Sequence, residues 1–253
     1  MKKVLSLMLA VMIFGCVTAQ VKYDQIGKFG TNGQPDWALV QANDVWGFID
    51  VTGKEAVQPK YEQIGIFGAN GHDGWALVQS DEHRGFIDMS GNEIVPPVYD
   101  RIGIFGANGH ADWILVEIEG KQGFLNFDGK EVVPLAYDQI GKFGTNGQPD
   151  WALVQANDVW GFIDVTGKEI IQPKYDQIGI FGANGHDGWA LVQSDEHWGF
   201  IDMSGKEIVP PIYDRIGICG ANGHADWILV EIEGKQGFLN FDGKEVEIGT
   251  IVK

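Results

Sequence analysis

Four loops of the chain carry a histidine and an aspartate within two residues of each other. The pairs are His72 with Asp73, His110 with Asp112, His186 with Asp187, and His224 with Asp226. Imidazole and carboxylate groups bind zinc, but a zinc site needs three or four ligands in a tetrahedral arrangement. A metal site would therefore require neighbouring loops to converge. Gln34 and Gln148 stand at the histidine position in two related loops. This replacement favours the interpretation that the His and Asp residues are solvated turn residues. We therefore expect no metal or cofactor.

A second group of candidate binding residues occupies one recurring position in front of a glycine. Trp46, Trp160 and Trp198 stand at this position, and Arg84 and Gln122 replace the Trp elsewhere. A position that accepts Arg and Gln is expected to be at least partly exposed. Because an exposed Trp can stack on a sugar or an aliphatic ligand, these Trp residues and Arg84 are candidate ligand contacts, together with the His and Asp pairs.

The sequence contains little that suits catalysis. No nucleophile elbow and no zinc-protease helix motif is present, and the few serines fall in turn segments: Ser80, Ser90, Ser194 and Ser204. Carboxylates recur from one part of the chain to the next and do not form a single pair. We therefore expect that the protein is not an enzyme, and the alternative is a hydrolase.

The candidate residues are positioned by a repeat of 38 residues that begins each time with a tyrosine. The six units are residues 23–60, 61–98, 99–136, 137–174, 175–212 and 213–250. A second period lies above the first, because residues 23–136 recur as 137–250 with 103 of 114 positions identical. Periods of 20 to 50 residues are typical of solenoids, propellers and arrays. A site in one half should therefore reappear in the other.

The fourth unit shows the elements of the repeat. Predicted strands are residues 151–155, 160–164 and 169–172, with a further short strand led by Tyr137. Turns are predicted at Asn146-Gly147 and at 165–168, with Gly167 in the left-handed conformation. Pro173 is expected to end the last strand, because proline cannot donate to a ladder. No stretch has sustained helical periodicity, so the unit is predicted to be an antiparallel, all-β meander.

A recurring string follows the first Trp-Gly pair: Trp46-Gly47-Phe48-Ile49-Asp50, then Gly53-Lys54-Glu55, Pro59 and Tyr61-Glu62. The same string stands at 160–176 and 198–214, and the Trp is replaced by Arg84, Gln122 and Gln236 in the other units. This pattern resembles the bacterial WG-repeat family, and the resemblance covers residues 23–250. It implies a protein of WG-containing β-repeats and implies no particular reaction.

One four-stranded unit buries too little surface alone, so neighbouring units must cover its faces. Six units could close into a propeller-like ring, or they could stack as an open β-solenoid or superhelix. Open arrays need polar capping units, and the repeat shows none at either end, which favours the ring. In a ring, residues 245–252 are expected to complete a sheet with the N-terminal strands.

Residues 1–19 are predicted to be a secretory signal peptide. Lys2 and Lys3 precede an apolar run at 4–14 that is too short to span a bilayer, and Val17-Thr18-Ala19 suits signal peptidase. Alternatively, residues 13–16 resemble a lipobox, which would make Cys16 a lipid anchor. We expect residues 20–253 to be one exported domain, either secreted, periplasmic or at the cell surface.

The acidic composition limits the class of partner. A net charge of −17 repels nucleic-acid phosphates, and no other segment could span a membrane. We expect a monomeric, non-catalytic module that recognises or scaffolds a protein or glycan at the bacterial envelope or outside the cell. The alternative is a purely structural surface protein.

Overall fold

A computed structural model describes residues 22–247, so the predicted signal peptide, Cys16 and residues 248–253 lie outside the described part. The first sheet contains β1 (Gln25–Ile26), β2 (Trp37–Ala42), β3 (Val45–Asp50) and β4 (Glu55–Tyr61). The second contains β5 (Gln63–Ile64), β6 (Trp75–Ser80), β7 (His83–Asp88) and β8 (Glu93–Tyr99). The third contains β9 (Arg101–Ile102), β10 (Ile114–Ile118), β11 (Lys121–Leu125) and β12 (Glu131–Tyr137).

The second half of the chain repeats this order. The fourth sheet contains β13 (Gln139–Ile140), β14 (Trp151–Ala156), β15 (Val159–Asp164) and β16 (Glu169–Tyr175). The fifth contains β17 (Gln177–Ile178), β18 (Trp189–Ser194), β19 (His197–Asp202) and β20 (Glu207–Tyr213). The sixth has three strands, β21 (Arg215–Cys219), β22 (Ile228–Ile232) and β23 (Lys235–Leu239). One 3-10 turn (Ala221–Gly223) is the helical element of the described residues, none of which forms a helix able to cross a bilayer.

Each sheet is an antiparallel meander, which confirms the predicted all-β repeat. The second and third strands of a sheet are joined by a two-residue turn, as between β2 and β3, where Asn43 and Asp44 have φ of 53° and 66°. Positive φ at both positions matches the right-handed twist of a hairpin. The Asp24 carboxylate accepts a 2.8 Å hydrogen bond from the Asn43 amide. The aspartate after the repeated tyrosine therefore holds the hairpin turn.

The fourth strand runs through the proline that was expected to end it. β16 continues past Pro173 to Tyr175, so the predicted end at residue 172 is wrong. Proline is tolerated because this is the edge strand of its sheet and because the pairing register shifts around Gly161. A Cβ at Gly161 would lie 2.3 Å from the Ile171 carbonyl oxygen. The glycine of the Trp-Gly pair thus permits the close approach of the fourth strand.

The hydrophobic core is divided among the spaces between successive sheets. Phe48, Val57 and Tyr61 of the first sheet pack against apolar residues of the second, and this arrangement recurs along the chain. Loops before the second strands are joined by a backbone bond, such as the one from the Phe67 amide to the Asn32 carbonyl at 3.0 Å. The sheets are therefore linked stepwise, each to its neighbour in sequence.

The sheets form an open array, and the solenoid alternative fits it better than the ring. Within residues 22–247, β1 pairs only with β2, and no strand pairing joins the first sheet to the sixth. Glu245, which was expected to pair with N-terminal strands, pairs instead with Leu239 of its own sheet. Ile26 remains 60% exposed, whereas its counterpart Ile140 is 6% exposed. Ring closure is therefore not seen in the described residues.

Candidate functional site

The Trp of each Trp-Gly pair belongs to a line of side chains that crosses its sheet. Trp46 stands opposite Gln41 on one side and Tyr61 on the other, and Arg84 stands opposite Gln79 and Tyr99 in the same way. We call this line the cross-strand row. Its members, sheet by sheet, are Gln25, Gln41, Trp46, Tyr61; Gln63, Gln79, Arg84, Tyr99; Arg101, Glu117, Gln122, Tyr137; Gln139, Gln155, Trp160, Tyr175; Gln177, Gln193, Trp198, Tyr213; and Arg215, Glu231, Gln236.

The candidate Trp residues have part of each indole in solvent. Trp46, Trp160 and Trp198 are all half-buried, as are Arg84 and Gln122, whereas Gln236 is exposed. The tyrosine end of the row is more deeply buried, and burial raises the pKa of the Tyr61 and Tyr137 hydroxyls above their ordinary value. The row therefore runs from a polar, accessible edge to a buried aromatic edge.

Three surface recesses lie on the cross-strand row, in sheets where Trp is replaced. Their volumes are about 330 Å³ beside Arg84, 90 Å³ beside Gln122 and 260 Å³ beside Gln236. The first is lined by Gln63, Ile64, Gly65, Leu77, Val78, Gln79 and Arg84, and corresponding residues line the other two. Each recess thus combines an aliphatic floor with amide, carboxylate or guanidinium groups at its rim.

The replacing side chains are held by hydrogen bonds. Arg84 Nη1 donates to the Asp100 carbonyl at 2.8 Å, and Gln122 Oε1 accepts from the Ile140 amide at 2.9 Å. The first bond reaches the residue that precedes β9 and the second reaches β13, so each extends to the start of the next sheet. Gln236 Nε2 donates to Glu231 Oε2 at 3.1 Å within its own sheet. Arg101 lies 3.7 Å from Glu117 at the rim of the third-sheet recess.

The histidines of the four His/Asp loops lie against tryptophan rings. His72 stacks on Trp75 with the ring centres 4.3 Å apart, and His110, His186 and His224 stack on the corresponding indoles at 4.1, 4.3 and 3.9 Å. The Nδ1 atoms of His72, His110 and His186 are buried without a hydrogen-bond partner. Where Gln34 and Gln148 replace the histidine, Trp37 and Trp151 are only half-buried. The imidazoles therefore cover the indoles.

The aspartates of these loops point into solvent. Asp73, Asp112, Asp187 and Asp226 are all exposed. Neighbouring loops do lie side by side, since the Phe105 amide donates to the Asn70 carbonyl at 3.1 Å. Even so, no group of three or more His, Cys, Asp or Glu side chains suited to a metal ion occurs between residues 22 and 247. The structure does not bring the His/Asp pairs together.

Three recess residues were not singled out from the sequence. Gln79, Glu117 and Glu231 line the recesses from the second strand of their sheets. Their signal is a polar side chain recurring at the same place in each Trp-x-Leu-Val or Trp-Ile-Leu-Val segment. That signal becomes informative only once the strand register places it beside the Trp position.

The family profile of the WG containing repeat matches residues 46–82, 85–121, 123–160, 160–196 and 198–235. The chain belongs to the WG-containing repeat family. This confirms the resemblance, and the matches begin at or just after the Trp position of the cross-strand row. The family assignment accounts for the repeated sheets and names no ligand or reaction.

Similar solved structures are distant in sequence. A eukaryotic initiation factor is 10% identical over 84% of this chain and 62% of its own length, with a TM-score of 0.32. Kluyveromyces lactis Hsv2 is 10% identical over 90% and 80% of the two chains, with a TM-score of 0.26. Kuenenia stuttgartiensis hydrazine synthase is 12% identical over 92% and 81%, with a TM-score of 0.25. This WG-repeat chain thus spans less than two thirds of the initiation factor, and no curated protein matches it.

Proposed function

We propose that this WG-repeat chain is an exported, non-catalytic module that binds an extracellular polymer through its cross-strand rows. The observation that carries the proposal is the recurrence of one recess at the same register position beside Arg84, Gln122 and Gln236. The recess beside Arg84 lies in a unit whose sequence differs from those of the other two, so this recurrence does not follow from the duplication of the two halves alone. The role is recognition or scaffolding, and export follows from the signal peptide predicted at residues 1–19.

Of the two partner classes expected, glycan and protein, the chemistry of the rows favours a glycan. The recess beside Arg84 offers amide and guanidinium groups around an aliphatic floor, which suits the hydroxyl groups and apolar face of a sugar ring. In other sheets the half-exposed indoles of Trp46, Trp160 and Trp198 provide surfaces on which a sugar ring can stack. The net charge of −17 opposes anionic polymers.

Repetition makes the binding multivalent. Successive sheets pack on one another, and each carries a cross-strand row, so a repeating polymer can occupy several rows at once. Linked binding events of this kind raise the overall affinity without any new type of contact. A weak contact at one row therefore suffices for stable attachment to a long chain.

The four His/Asp loops have a different role in this proposal. Because His72 and its counterparts stack on indoles, we assign these residues to packing between sheets and exclude them from the ligand contacts. We assign no residue as a nucleophile, general acid or general base, so the proposed module binds its ligand and does not cleave it.

The test compares neutral envelope polysaccharide fragments of defined length by calorimetry. We expect two or more equivalent sites per chain, and affinity that rises steeply with fragment length. A matched pair of variants is provided by the chain itself, since Arg84 and Trp198 occupy the same position in units that differ at 4 of 38 residues. Arg84→Trp and Trp198→Arg should each change the affinity for the fragments several-fold while the protein stays folded. Ile104→Ser, which lies outside the rows, should leave the affinity unchanged.

Four results would overturn the proposal. No binding to any fragment would favour a purely structural protein. An affinity that is unchanged in both Arg84→Trp and Trp198→Arg would place the site elsewhere. Release of shortened fragments would instead favour the hydrolase alternative. A single site per chain would contradict the assignment to repeated rows.

A further inference from the structure

Within residues 22–247, both ends of the array expose apolar side chains. In the first sheet, Ile26 is 60% exposed and Phe29 is 47% exposed, whereas their counterparts Ile140 and Phe143 in the fourth sheet are each 6% exposed. In the sixth sheet, Phe238 is half-buried, whereas its counterpart Phe124 is fully buried. Each end sheet thus exposes side chains that internal sheets bury against a neighbour.

The junction between the third and fourth sheets shows what those side chains contact when they are covered. Phe124 of the third sheet packs with Ile140 and Phe143 of the fourth in one buried core. The Phe143 amide donates to the Asn108 carbonyl at 2.9 Å, and Lys121 forms an ion pair with Asp138. We call this set of contacts the central junction.

The two end sheets carry nearly the same residues as the two sides of the central junction. The first and fourth units differ at 2 of 38 positions, and the third and sixth differ at 5 of 38. The counterpart of the Lys121–Asp138 pair is Lys235 with Asp24, and the counterpart of the Asn108–Phe143 bond is Asn222 with Phe29. Because the third sheet packs on the fourth through these residues, the sixth sheet is complementary to the first in the same way.

The sixth sheet also leaves Leu229 of β22 36% exposed, whereas its counterpart Leu115 packs against the core of the central junction. Within residues 22–247, β23 forms the edge of this sheet. A groove of about 290 Å³ follows this edge, lined by residues that include Tyr213, Gln236 and Phe238. In the third sheet the place beside Gln122 is taken by Tyr137. Tyr23 of another chain is the matching residue for the place beside Gln236.

We propose that copies of this chain join head to tail, with the first sheet of one copy packing on the sixth sheet of the next as in the central junction. The occupant of both free faces is therefore a second copy of the chain. The interface is heterologous, because different surfaces meet, and it produces a ring or a filament according to the rotation at each step. Glu247 stands where Val133 is fully buried, which makes this junction weaker than the internal ones and assembly dependent on concentration.

Two substitutions block one face each and leave the free chain intact. Ile26→Asp places a charge at a side chain of the first sheet that is already in solvent, and Leu229→Asp does the same on the sixth sheet, at the counterpart of Leu115. Ile104→Asp is the matched control, since Ile104 is 56% exposed but lies in the loop after β9, in an internal unit. By sedimentation velocity, we expect the wild-type chain and the control to gain mass with concentration, and each blocked variant to stay monomeric.

Mixing the two blocked variants gives the decisive measurement. The sixth sheet of Ile26→Asp and the first sheet of Leu229→Asp are both intact, so an equimolar mixture should form a one-to-one dimer and nothing larger. A wild-type chain that stays monomeric at its solubility limit would overturn the proposal. So would assembly that survives either block, or a mixture that remains monomeric while the wild type assembles.

Discussion

Tyr61 donates a hydrogen bond from its hydroxyl to Glu93 Oε1 at 2.8 Å, across the boundary between two sheets. Tyr61 ends the last strand of the first sheet, and Glu93 begins the last strand of the second. Lys60 Nζ lies 2.7 Å from the same carboxylate oxygen, and its hydrogen bond, followed by that of Tyr61, lowers the pKa of Glu93. Equivalent tyrosine–glutamate bonds occur at Tyr23, Tyr137 and Tyr175. The repeated tyrosine is therefore a tie between sheets.

Removing this tie should destabilise the array by a small, measurable amount. Tyr61→Phe keeps the buried ring and removes only the hydroxyl, so we expect a loss of about 1 kcal/mol in the free energy of unfolding. Urea denaturation measures the change. Tyr99→Phe is the matched control, because Tyr99 donates no such bond within the described residues. Equal losses at the two positions would show that the hydrogen bond to Glu93 is not responsible.

The buried tyrosines also predict a loss of stability at high pH. Burial, followed by the bond to a carboxylate, raises the pKa of Tyr61 and Tyr137 above the ordinary value of 10.0. The folded chain then keeps protons that the unfolded chain releases, so this stability is fully present below about pH 10 and is lost as the pH rises further. Melting temperature measured upward from pH 8 should fall beyond that point. A Tyr61→Phe, Tyr137→Phe double variant should show a shallower fall, and an unchanged slope would contradict the assignment.

The glycine of the Trp-Gly pair should be required only where a fourth strand crosses it. At Gly123 a Cβ would meet the Val133 oxygen at 2.6 Å and the Leu135 nitrogen at 3.0 Å, both of them backbone atoms. Gly123→Val should therefore cost about 2 kcal/mol or more through overpacking. Gly237→Val, where the nearest atom among residues 22–247 is 4.0 Å away, should change stability by less than about 0.5 kcal/mol. Thermal denaturation at low protein concentration compares them, and similar losses would contradict the close approach.

Local backbone features of this fold could be predicted from the sequence because single residues determine them. Gly147 and Gly167 adopt positive φ, as the Asn-Gly and hairpin signals indicated. The strands predicted at residues 151–155 and 160–164 also lie within one residue of the observed bounds. In contrast, the passage of β16 through Pro173 depends on its position at the sheet edge, which is a tertiary property.

Features that arise from contacts between units could not be predicted from the sequence pattern. Whether six sheets close depends on the rotation accumulated from sheet to sheet, which no single unit encodes. The recess beside Arg84 depends on Gln63 and Gln79 from two other strands, so it becomes visible only with the register. The stacking of His72 on Trp75 likewise joins two residues whose spacing alone suggested a ligand pair.

The imidazole–indole stack gives the last prediction, because it separates packing from metal binding. His110 covers Trp113, which is 7% exposed, and His110→Gln should expose the indole and cost about 1 kcal/mol. Asp112→Asn, at an exposed neighbour, is the control and should leave the unfolding midpoint unchanged. Zinc should not raise the melting temperature of either the wild type or His110→Gln, since no ligand cluster lies within residues 22–247. A zinc-dependent rise in the wild type that is lost in both variants would instead establish His110 and Asp112 as metal ligands.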